Sequence, residues 1–224
     1  MNFKMEVIYD AVFKTFLSNP QILLIIFFLI IIYAVVNVYY PDFRGYMGEL
    51  LVKRKLNKLP KDKYIILNNI MIKDKKGSHQ IDHLIISEFG IFVIETKNYY
   101  GLIKGKEIDN KWCQYLGKNK NYFFNPIHQN YGHIKAVSNL LGLDDKFFIS
   151  IICFSNQAKV DVKCKTTVTQ VDYLVNEILK YTKPIIKQNI KEIAQTILSN
   201  NIVDKEIRKQ HVKNINAKYV KYKK

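Results

Sequence analysis

The chain has 224 residues, 48% of them hydrophobic, and its 35 lysines and arginines against 19 acidic residues leave a formal net charge of +16. This length supports one domain with a hydrophobic core plus an additional element, and the hydrophobic content excludes a disordered protein. The basic excess favours phosphate-rich or anionic-membrane partners, although lysine is abundant throughout the chain. The three cysteines show no CxxC spacing, which indicates a reducing compartment and excludes a four-cysteine zinc module.

An uncharged apolar stretch, residues 20–40, follows a short N-terminal lead, residues 1–19. About 20 apolar residues in a helix span ~30 Å, the thickness of a hydrocarbon core, so the sequence predicts one transmembrane helix here. The stretch is too long and too late for a cleaved signal peptide, and a buried core helix need not be apolar on all sides. Basic residues are more numerous after the stretch than before it, which predicts a single-pass membrane protein with a cytoplasmic C-terminal domain.

The rest of the chain predicts a mixed order of helices and strands. Turn-forming residues at 41–45 predict a juxtamembrane link, and residues 121–126 predict a loop. Apolar periodicity predicts the following elements: helices at 46–59, 127–141, 185–198 and 204–219, strands at 64–72, 80–86, 91–97, 102–105, 112–116 and 147–154, and a strand leading into a helix at 168–181. The fold class is therefore α/β, with a mixed central β-sheet flanked by helices. We assign the domain to residues 44–200 and a basic C-terminal helix and tail to residues 201–224.

Charged residues interrupt the two apolar runs of the hairpin predicted at residues 80–97. A strand that is buried on both faces is expected to carry no charged residues. If the short turn makes Ile86 pair with Ile91, counting outward places Asp82 directly opposite Glu95. Directly opposed side chains lie ~5 Å apart at Cβ, so the two carboxylates are expected to be neighbours.

Strand alternation also places Lys97 on the same face as Glu95 and turns the Thr96 side chain away. Two carboxylates this close repel each other unless one holds a proton or a cation lies between them. A divalent metal ion is the interpretation that we favour. The alternative is a half-buried salt-bridge triad of Asp82, Glu95 and Lys97, in which an extra unpaired carboxylate would be costly.

Several short motifs occur in a characteristic order along the chain. They are Gly48-Glu49, Gln80-Ile81-Asp82-His83, the run from Gly90 to Gly101 with Glu95-Thr96-Lys97, Trp112, Asn125-Pro126-Ile127-His128-Gln129-Asn130, and His133. Together they resemble the nuclease-related domain family, NERD, which is grouped with the PD-(D/E)xK restriction-endonuclease-like superfamily. The resemblance covers roughly Arg44 to Leu198. It implies a restriction-endonuclease-like fold and a metal-dependent nuclease.

Phosphodiester hydrolysis by this class of site uses Mg²⁺, with Mn²⁺ as a substitute, held by one or two carboxylates. Asp82 and Glu95 are the expected ligands, and the Thr96 backbone carbonyl is a third candidate. Lys97 is expected to hold the attacking water or the phosphate. The resemblance implies that Glu49, on the preceding helix, completes the acidic cluster directly or through water. As an alternative, Glu49 is a surface residue of an amphipathic helix.

Two glutamines and three histidines are further candidates. Gln129, near the start of a helix, could bind phosphate or water, and Gln80 shares a strand face with Asp82 as a supporting residue. Buried amides more often satisfy backbone groups, so a structural role stays open for both. His83, His128 and His133 do not show the spacing of a zinc site.

The sequence therefore predicts a membrane-anchored, Mg²⁺-dependent nuclease that hydrolyses phosphodiester bonds in DNA. Its partners would be DNA, held through backbone phosphates, and a lipid bilayer at residues 20–40, and restriction-like folds also suggest a homodimer. One alternative is a catalytically silent nucleic-acid-binding or membrane-tethering module on the same fold. Another is a scaffold whose basic helices bind anionic lipid. Two opposed carboxylates argue against simple DNA binding, because they repel phosphate unless a metal neutralises them.

Overall fold

The computed structural model describes part of the chain with backbone and side chains. Described are residues 8, 10, 14, 18–75 and 77–223, without the side chains of residues 20, 37, 38, 41, 42 and 215–223. Most of the predicted N-terminal lead, residues 1–19, lies outside the described residues, as do the side chains of most of the predicted basic tail. The chain divides into two compact units, Met1–Tyr46 and Met47–Lys224.

The first long helix, α1, runs Pro20–Leu56. The turn predicted at residues 41–45 is wrong, because this segment is helical, and local turn propensity is only a weak guide where a helix continues on both sides. Within the described residues, no helix combines the length and the apolarity that a membrane crossing requires. The structure thus does not support the transmembrane helix predicted at residues 20–40.

The second unit contains nine strands among its described residues, together with four further helices and a short 3₁₀ helix, Asp145–Phe147. The strands are β1 (Ile65–Asp74), β2 (Gly77–Ser87), β3 (Gly90–Lys97), β4 (Gly101–Lys106), β5 (Lys111–Leu116), β6 (Asn119–Phe124), β7 (Phe148–Phe154), β8 (Ala158–Lys163) and β9 (Thr167–Gln170). The helices are α2 (Pro126–Leu141), α3 (Leu174–Leu179), α4 (Ile190–Ser199) and α5 (Lys205–Lys223).

These strands form two mixed sheets, where the sequence predicted one central sheet. The first sheet has five strands in the order β1-β2-β3-β7-β9, and the second has four in the order β6-β5-β4-β8. The first three strands are antiparallel, whereas β7 and β9 continue in parallel. In the second sheet β4 pairs in parallel with β8, a strand that the sequence did not predict. The loop predicted at residues 121–126 is wrong, because β6 covers most of it.

Helices cover the five-stranded sheet on both faces. On one face, Val137 of α2 and Ile193 of α4 pack in a cluster with Val93 of β3. On the other face, Leu56 of α1 and Leu174 of α3 pack in a cluster with strand residues that include Phe92 and Ile94. This α/β/α layering buries both faces of β3, which explains its nearly continuous apolar sequence.

A third cluster joins the four-stranded sheet to the first sheet. Trp112 of β5 stacks on Phe154 of β7, with ring centroids 6.3 Å apart and an angle of 12° between the planes. Ile103 and Ala158 belong to the same cluster. The second sheet therefore uses one face for the core, and its opposite face lies outward.

The C-terminal segment covers the outer edge of β1. The backbone of Met71 donates to the Asn201 side chain (2.9 Å) and accepts from the Ile202 N–H (2.8 Å). Arg208 donates to the side chain and the carbonyl of Asn69, at 2.8 and 3.1 Å. Asn69 has a φ of 53°, a left-handed conformation that asparagine adopts more readily than most residues. An edge strand covered in this way is protected from pairing with another chain.

Candidate active site

The hairpin of β2 and β3 has the register that the sequence predicts. Ile86 pairs with Ile91, and the last pair of the ladder is His83 with Ile94. Asp82 and Glu95 are the next two residues outward on their strands. The apolar part of the hairpin lies inside the protein, and its charged residues are gathered at the open end.

Glu95 is the most deeply buried of these charged groups, at 2% exposure. The Lys97 Nζ donates to Glu95 Oε1 (2.7 Å) and to Gln129 Oε1 (3.0 Å). On the other side, His133 Nε2 lies 3.3 Å from Glu95 Oε2. The structure thus brings together the predicted Glu95, Lys97 and Gln129, and adds His133.

Opposing influences act on the Glu95 carboxyl. Burial raises its pKa. The charge of Lys97 and the contact with His133 lower it by more than burial raises it, so the pKa lies below its ordinary value. Glu95 is therefore a carboxylate at neutral pH. Its Oε2 is nonetheless buried without a hydrogen bond of good geometry. A buried carboxylate oxygen in this state is available to a cation.

Asp82 is half-buried beside this group. The Thr96 N–H donates to Asp82 Oδ2 at 2.8 Å. Burial, followed by the negative charges of Glu95 and Glu49, raises the pKa of Asp82 well above its ordinary value. The Thr96 hydrogen bond and Lys97 only partly oppose this increase. Without a cation, the acidic cluster therefore favours the protonated form of Asp82 more than an isolated aspartate would.

The Thr96 backbone faces Asp82 as well. The N–H and C=O groups of a strand residue point to the same side, so the Thr96 carbonyl is also directed toward β2. The neighbouring Lys97 carbonyl points the other way, because it accepts a hydrogen bond from the Ser155 N–H (3.1 Å) after β7. A backbone oxygen is thereby directed toward the acidic cluster.

Glu49 reaches this cluster from helix α1 because of the glycine that precedes it. A Cβ atom on Gly48 would lie 2.6 Å from the Cβ of Asn98, so only glycine lets the helix lie against the residue after Lys97. Glu49 is half-buried there. Burial and the charge of Glu95 raise the pKa of Glu49, and Lys97 opposes them. The Gly48-Glu49 motif thus adds a third carboxyl group to the cluster.

Helix α2 is held in place by the two asparagines of its motif. The Asn125 side chain caps the helix by accepting from the Ile127 N–H (2.9 Å). It also donates to the carbonyl oxygens of Glu107 (2.9 Å) and Asp109 (2.7 Å), in the turn after β4. The buried Asn130 donates to the Val93 carbonyl of β3 (2.8 Å). These bonds fix the helix against both sheets and so position Gln129 at Lys97.

Sequence reasoning listed His133 among the family motifs and weighed it as a zinc ligand, but did not predict its contact with Glu95. His133 follows Gln129 by four residues on α2, and residues four apart share one face of a helix. That spacing was a usable signal, because Gln129 was already a candidate. His83 is placed differently, since its Nδ1 hydrogen-bonds the Asn68 side chain at 2.7 Å. Burial lowers the pKa of His83 to about 4.

Two predicted candidates lie outside the direct contacts of the acidic cluster. Gln80 donates to the Asn69 side chain at 3.1 Å, so its hydrogen bond supports the β1–β2 pair. His128 is half-buried, and its ring contacts the edge of Phe124 with centroids 6.2 Å apart. Across the described part of the chain, no three His, Cys, Asp or Glu side chains form a group suited to a metal ion.

The donor set fits a hard divalent cation that keeps part of its water shell. Mg²⁺ takes oxygen ligands and uses only one or two protein carboxylates in such sites. Asp82 and Glu95 are two carboxyl groups that could hold such an ion, and the mutual repulsion that raises the Asp82 pKa is what a bound cation would relieve. Glu49 stands close enough for its charge to act on Asp82. The chemistry of these residues is therefore compatible with the metal that the sequence predicts.

Similarity to known proteins identifies the family of this chain. A family model described as nuclease-related domain matches residues 44–155. An uncharacterized protein of Bacillus anthracis is 39% identical over 205 residues, which cover 89% of this chain and 96% of that protein. The chain belongs to the nuclease-related domain family. No solved structure matches it.

Proposed function

We propose that this protein is a metal-dependent nuclease that hydrolyses phosphodiester bonds in DNA at the site of Asp82, Glu95 and Lys97. The observation that carries the proposal is the pair of neighbouring carboxyl groups, one ionised and one with a raised pKa, beside a lysine. Membership of the nuclease-related domain family supports the same conclusion. Perturbed ionisable groups that lie together at a partly open position are typical of catalytic sites.

Asp82 and Glu95 would hold Mg²⁺ or Mn²⁺, with the Thr96 carbonyl as a third ligand and Glu49 contributing directly or through water. When bound, the ion supplies positive charge that stabilises the phosphorane-like transition state and the leaving oxygen. Glu95 is kept ionised for this role by Lys97 and His133. The raised pKa of Asp82 couples its ionisation to the arrival of the cation, because a metal ligand must be deprotonated.

Lys97 carries the positive charge that the chain itself provides. Its Nζ is held by Glu95 and Gln129 and therefore has a defined position. In this position the ammonium can hold the attacking water or a phosphate oxygen. Gln129 orients Lys97 through its carbonyl oxygen, and its NH₂ group is a donor suited to a substrate phosphate.

We further propose that residues 20–40 anchor the protein to a membrane, with the nuclease domain in the cytoplasm. The stretch is uncharged, and large apolar side chains such as Leu24, Phe28 and Ile32 are exposed on α1. Exposed apolar surface of this extent is unfavourable in water. Fractionation of cells that express the full chain tests this, because extraction from membranes by salt alone would contradict an anchor.

The catalytic proposal is tested with the purified full-length chain on plasmid and single-stranded DNA, in Mg²⁺, Mn²⁺ or EDTA. Asp82→Asn and Lys97→Met should each lower metal-dependent cleavage by roughly 100-fold or more. Asp62→Asn and Lys63→Met are matched controls, because both side chains are exposed in a turn before β1. Cleavage that survives in EDTA, or persists unchanged in both site variants, would refute the assignment. Absence of cleavage by the wild type, together with metal-independent DNA binding, would favour a silent binding module.

A further inference from the structure

The outward face of the four-stranded sheet combines basic and aromatic side chains. Strand alternation separates its residues into two sets. One set, including Ile103, Trp112 and Phe123, packs in or against the core. The other set points away from the core, so exposed residues, most of them lysines, alternate with buried or half-buried residues along β4 and β8. We name this second surface the outer face of the four-stranded sheet.

The strand registers arrange the outer face in three rows across the sheet. The first row places Lys120, Tyr115, Leu102 and Lys159 side by side. The second consists of Tyr122, Cys113, Lys104 and Asp161. The third contains Phe124 beside Lys111 on one side of the sheet and Lys106 beside Lys163 on the other. The rows therefore form a surface of four strands by three residues, in which the small Cys113 is buried between its neighbours.

The charge of this surface is strongly positive. It carries one acidic residue, Asp161, whose carboxylate lies 3.4 Å from the Lys104 Nζ. Against it stand six exposed lysines, which leave five net positive charges on the three rows: Lys104, Lys106, Lys111, Lys120, Lys159 and Lys163. Exposed lysines distributed in this way match the phosphates of a polyanion.

The aromatic residues lie on the β5–β6 side of the same face. Tyr122 is 61% exposed in the middle of β6, although a tyrosine ring in a strand usually packs against neighbours. Tyr115 is half-buried, with the Lys120 Nζ 5.5 Å from its ring centroid. Phe124 is half-buried one row further along, where its ring contacts His128. Aromatic faces on a sheet, interleaved with lysines, are what unpaired bases use for stacking.

We propose that the outer face of the four-stranded sheet binds single-stranded nucleic acid, with bases stacked at Tyr122 and its aromatic neighbours and phosphates held by the lysines. A duplex would satisfy the lysines but would leave the aromatic rings unused, because its bases are stacked inside the helix. An anionic membrane would likewise need the lysines only. Binding at this face requires no metal and no cleavage, so it does not depend on the catalytic proposal.

The test measures fluorescence anisotropy of a labelled oligothymidylate about 20 nucleotides long, with the full-length chain in EDTA. Tyr122→Thr keeps the strand preference of the position and removes the ring, so the affinity for the single strand should fall roughly tenfold. Tyr122→Phe keeps the ring and should bind like the wild type. Tyr173→Thr is the matched control, because Tyr173 is 58% exposed elsewhere on the domain. It should leave the affinity unchanged.

A second variant tests the lysines. Replacing Lys159 and Lys163 by glutamine should make the plot of log affinity against log salt shallower by about 1.4, at about 0.7 per phosphate contact. The same change at Lys187 and Lys191, exposed lysines outside this face, should not alter the slope. Equal single-strand affinity of Tyr122→Thr and wild type would overturn the proposal. So would a duplex or an anionic phosphatidylserine vesicle that binds more tightly than the single strand and depends on the same two lysines.

Discussion

Two ion pairs in this domain have the same chemistry and opposite surroundings. Lys97 and Glu95 are 2.7 Å apart, with side chains 14% and 3% exposed. Lys104 and Asp161 are 3.4 Å apart on the outer face, with side chains 50% and 60% exposed. Charges are strongly coupled in the first environment and screened by solvent in the second. Burial thus couples a few charges strongly at the acidic cluster, whereas the charges of the outer face stay in contact with solvent.

The largest difference in stability between the two pairs is expected when the lysine of each pair is removed. Lys97→Ala leaves the buried Glu95 without its main partner, so the free energy of unfolding should fall by about 3–5 kcal/mol. Lys104→Ala breaks an exposed pair and should lower it by less than about 1 kcal/mol. Urea denaturation in EDTA measures both. Similar losses for the two variants would show that the Lys97–Glu95 pair is not effectively buried.

A double variant separates stability from catalysis at the same site. Glu95→Gln combined with Lys97→Met removes both charges, so much of the stability lost in Lys97→Ala should return. Nuclease activity should remain absent, because the metal ligand and the ammonium are both gone. Recovery of metal-dependent cleavage in the double variant would instead assign the pair a structural role.

The close approach of helix α1 to the hairpin predicts the next largest loss of stability. Gly48→Ala places a Cβ 2.6 Å from the Asn98 Cβ, so it should destabilise the domain by up to about 3 kcal/mol and lower cleavage by displacing Glu49. Gly45→Ala is the matched control on the same helix, where nothing lies within 4 Å of the new Cβ. Alanine is the better helix former, so this control should be neutral or slightly stabilising. Equal effects of the two substitutions in thermal unfolding would contradict the tight contact at Gly48.

The buried His83 predicts a smaller effect that depends on pH. Its pKa falls from 6.5 to about 4 on folding because burial disfavours the charged ring. The unfolded chain therefore binds the proton first, so the stabilisation is complete above about pH 6.5 and is lost as the pH falls toward 4. Between pH 7 and 5 this loss amounts to about 2 kcal/mol. The unfolding free energy of His83→Gln, measured in EDTA, should fall less steeply with pH over this interval than that of the wild type. Parallel pH curves for the two proteins would refute the shift in the His83 pKa.

The sequence was most informative where local pattern and geometry coincide. Alternation and turn length were enough to pair Ile86 with Ile91, which brought Asp82 and Glu95 to adjacent positions. The same local rules identified helix α2 and the interior strand β7. The motif from Asn125 to Asn130 carried the capping and anchoring residues as well, although their partners could not be named from the sequence.

Only the tertiary structure decided which strands share a sheet. Most of β6 fell in the loop predicted at residues 121–126, because its sequence has little apolar alternation, and β8 was not predicted. They pair with β5 and β4 through tertiary contacts that local sequence does not encode, because the strand preference of a residue depends on its neighbours in the sheet. The contact of His133 with Glu95 likewise arises only when α2 packs on β3. Local periodicity therefore determined the hairpin and its charges, whereas the long-range packing of sheets and helices determined the outer face and the surroundings of the acidic cluster.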